Sequence, residues 1–144
     1  MIVLDTNVIS ELVRPSPSPI VLRRLRSLPD HELYTTAITE AEIRYGLAIQ
    51  ARGRRHAVLS SQLDLIFAEV FAGRILPFDS AAAPIYAAVV AKRRKAGRPI
   101  AAFDAQIAAI CLSRNATLAT RNMADFRGLH LPLLDPWAEE STRG

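Results

Sequence analysis

A chain of 144 residues, half of them hydrophobic and 22% charged, can bury one ordinary core, so neither a disulfide scaffold nor a disordered chain is expected. No apolar run approaches the roughly 18 residues of a membrane span, no basic and apolar leader follows Met1, and a lone Cys111 cannot form an internal disulfide, so a cytoplasmic protein is expected. The net charge of +4 permits a polyanionic partner without requiring one.

The first stretch, IVLDTNVIS at 2–10, reads as strand, acidic tip and helix. Its β-branched run lacks alternation, which suits a strand buried on both faces of a parallel sheet. In such sheets function collects at the carboxyl ends of strands, where Asp5 stands. The same residue also suits a plain helix N-cap, and both readings stay open. After the proline-punctuated SPSP loop at 16–19, the spacing predicts a helix over 20–28. Val21, Leu25 and Leu28 form one stripe there, opposite Arg23, Arg24 and Arg26.

Residues 32–38, rich in Thr, Tyr and Ile, predict a second strand, and Thr39 opens a helix over about 40–50. Glu42, Tyr45 and Ile49 recur at helical spacing, which sets the carboxylate in line with an apolar stripe. A competing reading is a T-x-x-E capping box, with Glu42 bonding back to Thr39. The basic connection ARGRR at 51–55 precedes a long amphipathic helix over 56–71, patterned by Val58, Leu59, Leu63, Ile66, Phe67 and Val70. His56 lacks a companion histidine and reads as exposed. A short strand at 75–78, interrupted by Pro77, belongs near a sheet edge.

Asp79 and Ser80 cap a helix that runs to about Lys95. It ends in KRRKAGR, where Lys92, Arg93, Arg94, Lys95 and Arg98 put five basic side chains in seven residues. That is more than a helix macrodipole needs, so they are candidate contacts to a nucleic-acid backbone. The next helix, over 100–113, sets Asp104 on one face with Ile100, Ile107 and Cys111. A carboxylate on that inward stripe costs several kcal/mol unless it is paired, bonded, protonated or bound to a cation. No Lys or Arg stands one turn away. A strand at 117–120 then opens into RNMADF, residues 131–134 suggest a last strand, and a tail follows residue 137.

Asp5, Glu42 and Asp104, with Asn122 or Asp125, could therefore meet at one edge of a parallel sheet. Gathered carboxylates without lysines make physical sense mainly around a divalent cation. Hard oxygen ligands without Cys or His clusters select Mg2+ or Mn2+ over zinc. Such a site suits phosphodiester hydrolysis. A phosphatase using Asp5 as nucleophile would want a second Asp beside it or a Lys at a later strand end, and the sequence supplies neither.

The stretches MIVLDTNVISELVRP, TTAITEAEIRYGLA, FAGRILPFD, IAAFDAQIAAI and ATLATRNMADF, in this order and spacing, resemble the PIN-domain ribonuclease toxins of VapC type over residues 1–137. The resemblance implies one three-layer α/β/α domain with a mostly parallel sheet, residues 138–144 being a tail. It implies a Mg2+- or Mn2+-dependent endoribonuclease, the toxin of a type II toxin–antitoxin pair. The implied partners are an RNA substrate, a homodimer mate, and an antitoxin with which the chain assembles on DNA. The family's acidic residues map onto Asp5, Glu42 and Asp104 as catalytic and metal-binding groups, with Thr6, Asn7, Thr120, Asn122 and Asp125 as site neighbours. Where the pattern carries a fourth acid, this chain has Asn122, which is expected to lie nearer the site than Asp125. The alternative is a PIN-like module that binds RNA or a protein without cleaving and acts in a DNA-binding repressor complex.

Overall fold

The computed structural model describes residues 1–139. Five short strands, β1 (Ile2–Leu4), β2 (Leu33–Thr36), β3 (Ile75–Leu76), β4 (Thr117–Ala119) and β5 (Leu133–Leu134), form one sheet in the order β3-β2-β1-β4-β5. Every pairing is parallel. β1 lies in the centre, and the chain winds outward from it first through β2 and β3, then through β4 and β5. The strand order thus reverses beside β1, the place where ligands of open parallel sheets gather.

Six helices cover the sheet: α1 (Thr6–Leu12), α2 (Pro19–Arg26), α3 (Ala37–Ala48), α4 (Arg54–Leu65), α5 (Ala83–Lys95) and α6 (Ala102–Ser113). Alternation along each strand assigns the faces. Val3 and Leu118 point into a core with Val89 of α5 and Ile107, Ile110 and Cys111 of α6. Leu4 and Ala119 point the other way, against Val8, Val21, Ile43 and Leu63 from α1–α4 and Phe67 just beyond α4. Helices on both faces of a parallel sheet give the three-layer α/β/α architecture expected from the unalternating first strand.

Three elements depart from expectation for identifiable reasons. β2 stops at Thr36 because the Thr36 hydroxyl accepts the Thr39 N–H at 3.0 Å and caps a helix that starts earlier than expected. The inward stripe of α3 is Thr39, Ile43 and Leu47, whereas Tyr45 and Ile49 are 68% and 67% exposed. Glu42 therefore borders the buried stripe rather than lying in line with it. The helix expected over 56–71 begins at Arg54 and widens into a π-helical turn at Ile66–Val70, where the Phe71 N–H reaches the Ile66 carbonyl at 3.0 Å. This turn brings Phe67 and Phe71 to the core and leaves Val70 exposed, and Val58 in α4 is exposed as well. His56, expected at the surface, is half-buried.

The remaining elements form near their expected places with shorter bounds, and Leu28 falls outside α2. Pro19 begins α2 behind a Ser18 cap, and β3 lies at the sheet edge and ends before Pro77. The Asp79 carboxylate accepts the Ala82 N–H at 3.2 Å in the turn ahead of α5, but the helix starts at Ala83 without a side-chain cap, so Asp79 and Ser80 do not cap it directly as expected. Of the tail expected at 138–144, residues 140–144 lie outside the described residues.

The cap assignment has a direct test. Thr36→Ala, which removes the hydroxyl that holds the start of α3, is expected to cost about 1–2 kcal/mol in urea denaturation. Glu42→Gln is expected to stay within about 0.5 kcal/mol of the parent. The opposite order of effects would restore the T-x-x-E box.

Candidate active site

The register of the central strands builds the site. Leu4 pairs with Ala119, so the next residues, Asp5 and Thr120, emerge side by side at the carboxyl edge, and the Asp5 N–H donates to the Ala119 carbonyl at 2.9 Å. There the Thr120 hydroxyl donates to Asp5 Oδ2 at 2.8 Å. The Thr6 N–H donates to Asp5 Oδ1 at 2.8 Å, and the Asn7 amide to Oδ2 at 3.3 Å. One Asp5 oxygen thus caps α1, while the other takes the two side-chain donors.

Asn7 ties the neighbouring loop to this centre. Its Nδ2 lies 3.2 Å from Thr120 Oγ1, and its Oδ1 accepts the Arg121 N–H at 3.1 Å. Glu42 comes from the second turn of α3. The Thr6 hydroxyl has one proton and donates it to Glu42 Oε1 at 3.0 Å, while Thr39 Oγ1 lies 3.3 Å from the same hydroxyl. No capping box forms, because Thr36 already satisfies the Thr39 N–H. Thr39 itself went unnoticed as a site neighbour, hidden by its resemblance to a helix cap.

Asp104 lies half-buried in the first turn of α6 and has no side-chain hydrogen bond among the described residues. Burial pushes its carboxyl up to about 6, and the charges of Asp5, Asp125 and Glu42 add to the shift. Asp5 is also raised, by burial first, against the lowering effect of its three donors, and Asp125 adds repulsion. Burial raises Glu42 likewise, with Thr6 opposing and Asp5 adding. None of the ion pairs among the described residues involves Asp5, Glu42 or Asp104. The structure therefore brings the three acids into one electrostatic unit without a cationic side chain to neutralise it.

Asp125, in a 3-10 turn at Met123–Phe126, adds its charge to the shifts of both Asp5 and Asp104, and the Asn122 side chain makes no hydrogen bond among the described residues. Asn122 contributes instead its backbone N–H, which donates to Thr120 Oγ1 at 3.1 Å. Arg93 is only 8% exposed and so leaves the surface group, and Lys92 Nζ is held by the Gly128 carbonyl at 2.8 Å. Arg94, Lys95 and Arg98 are exposed.

Among the described residues, no three carboxylate, imidazole or thiol groups close into a ready cage for a metal ion. The donor set nonetheless fits a hard divalent cation. It consists of carboxylate oxygens at an open sheet edge, mutually repelling and lacking a positive neighbour, the condition that Mg2+ or Mn2+ relieves.

The pattern that describes the PIN domain matches residues 2–127. The chain is 42% identical over 137 residues to Toxin FitB of Neisseria gonorrhoeae, covering 95% of this chain and 99% of that one. It is 39% identical over 137 residues to VapC ribonuclease Y4jK of Sinorhizobium fredii, covering 95% and 98%. Among solved structures, FitAB bound to an IR36 DNA fragment superposes with a TM-score of 0.91 at 41% identity, over 99% of each chain.

The strain at Asp104 should be visible in stability. Its folded pKa of about 6 exceeds the ordinary 3.8, so between these values the folded chain keeps a proton that the unfolded chain has lost. Stability contributed at low pH is lost as pH rises through that window, and stays lost above it. Metal-free Asp104→Asn is therefore expected to melt about 3–5 °C higher than the parent at pH 8, a discount for solvent screening included, and equally with it below about pH 4. A variant less stable than the parent at pH 8 would show that Asp104 is a structural partner.

Proposed function

Because the chain belongs to the PIN-domain family, we propose that it is a divalent-metal-dependent endoribonuclease, the toxin of a toxin–antitoxin pair. The observation that carries this reading is the set of Asp5, Glu42 and Asp104, each pushed upward in pKa beside the others with no cationic side chain to offset them. These three would hold Mg2+ or Mn2+, with Asp125 adding negative charge from one side. When bound, the cation supplies Lewis acidity to a phosphodiester.

The remaining work falls to the chain's own groups. Thr6 N–H, Asn7 and Thr120 fix the plane of the Asp5 carboxylate, and the Thr6 hydroxyl fixes one oxygen of Glu42. Such outer bonds keep ligands aimed before the cation arrives, and losing one typically costs ten- to a hundredfold in affinity or rate. The exposed Arg94, Lys95 and Arg98 are suited to an RNA backbone. An antitoxin partner, a homodimer, assembly of the pair on DNA and action in the cytoplasm complete the proposal. Similarity to FitB, and to the FitAB structure on DNA, supports it.

Purified protein incubated with RNA is expected to cleave it in Mg2+ or Mn2+ and to stop on addition of EDTA. Asp5→Asn and Asp104→Asn should each lower the rate by at least about a hundredfold while remaining folded, and Glu42→Gln should be severely impaired. Cleavage that survives EDTA, or either aspartate variant cutting at the parental rate, would sink the reading. RNA binding without cleavage under every metal condition would point to the non-cleaving module.

In the same assay, Asp125→Ala should raise the Mn2+ concentration for half-maximal cleavage, and Asn122→Asp should change it less. The reverse ranking would return the fourth position to residue 122. Replacing Arg94, Lys95 and Arg98 by Gln should flatten the salt dependence of RNA binding by about 0.7 of a log unit per lost contact. An unchanged slope would make them a solvated face.

A further inference from the structure

Arg93 is the exception in its basic run. It belongs to the last turn of α5 and is 8% exposed, while Lys92, Arg94, Lys95 and Arg98 lie at the surface. A guanidinium taken into the interior ordinarily meets a carboxylate, because the cost of its desolvation is high. No ion pair among the described residues includes Arg93. Its donors go to two backbone carbonyls instead, Nε to Arg98 at 2.8 Å and Nη1 to Asp125 at 2.8 Å.

A favourable helix end does not explain this. Exposed Lys92, Arg94 and Lys95 already complement the C-terminal dipole of α5 and do so without desolvation. Space filling does not explain it either, since an apolar side chain would fill the volume without burying a charge. What the planar fork does supply is a fixed relation between two segments. Arg98 belongs to the connection that leads into α6, whose first turn carries Asp104. Asp125 belongs to the 3-10 turn after β4. The same connection is drawn back by the Arg98 N–H, which donates to the Arg93 carbonyl at 3.0 Å, and the turn's far side by Lys92 on Gly128.

Resting on the cation site proposed above, we propose that Arg93 is a positioning residue. By bridging the Arg98 and Asp125 carbonyls, it sets the placement of Asp125 relative to Asp104 and so tunes the affinity of the acidic cluster for a divalent cation. It touches neither RNA nor metal.

The test is Mn2+ binding to the RNA-free protein, read from the electron paramagnetic resonance signal of free Mn2+, at a temperature where circular dichroism shows each variant folded. Arg93→Met is expected to weaken binding about tenfold, the size typical of outer-shell losses. Arg93→Lys keeps the charge but not the fork, and should show a smaller loss in the same direction. In an Asp125→Ala background the effect of Arg93→Met should shrink, since the carboxylate being placed is gone. A lowered melting temperature with parental Mn2+ affinity would overturn the proposal and make Arg93 an interior strut. If Arg93→Met does not fold, Arg93→Lys decides by the same criterion. Parent protein that binds no Mn2+ would overturn the cation site itself, and this role with it.

Discussion

The bond from the Thr120 hydroxyl to Asp5 is the contact on which the rest of the site depends. It joins the carboxyl ends of two adjacent parallel strands at the point where the sheet's winding reverses. A carboxylate at that depth, 4% exposed, is tolerable because three donors converge on it. Two of those donors come from the first turn of α1 and one from the end of β4, so Asp5 is anchored by elements that both cores pack into place. The fold thus supports the acid, and the acid in turn starts α1.

Around this fixed point the other acids are held less tightly. Glu42 has one hydroxyl donor, and the Asp104 and Asp125 side chains have none among the described residues. The gradient follows from packing: Asp5 sits where strand and helix meet, whereas Asp104 stands at a helix start that faces the open sheet edge. Asp104 is pushed up to about 6 by burial first, with the charges of Asp5, Asp125 and Glu42 adding to it and no hydrogen-bond donor among the described residues opposing them. Stability given up there is recoverable by any bound cation, because what binds only the folded state stabilises it.

Much of this was legible in the residues. The unalternating first strand announced a doubly covered parallel sheet, and the lack of a nearby base marked Asp104. The departures arose where one residue type serves two ends. Thr39 mimicked a cap because Thr36, three residues earlier, is also a threonine, and only the backbone shows which hydroxyl takes the N–H. The Tyr45 and Ile49 stripe misled because apolar residues border the buried row of α3, whose own members include a threonine. In the basic run, sequence gives five equivalent charges, and burial alone separates Arg93 from the rest.

That separation bears on how the acidic edge is assembled from both directions of the winding. Asp5 and Glu42 follow β1 and β2, on one side of the reversal, and their common tie is Thr6. Asp104 and Asp125 precede and follow β4, on the other side, and no side-chain bond joins them to the first pair. Asn7 reaches across to Thr120 and Arg121, so the first half grips the end of β4 but not the turn beyond it. The second half therefore needs its own support. Among the contacts between the segments that carry its two carboxylates is apolar packing, with Phe126 in the same cluster as Ala105, Ile107 and Ala108 of α6. Apolar packing is non-directional and fixes orientation poorly. A planar guanidinium on two carbonyls supplies the direction that packing lacks, which gives a physical reason for a buried arginine without an anionic partner.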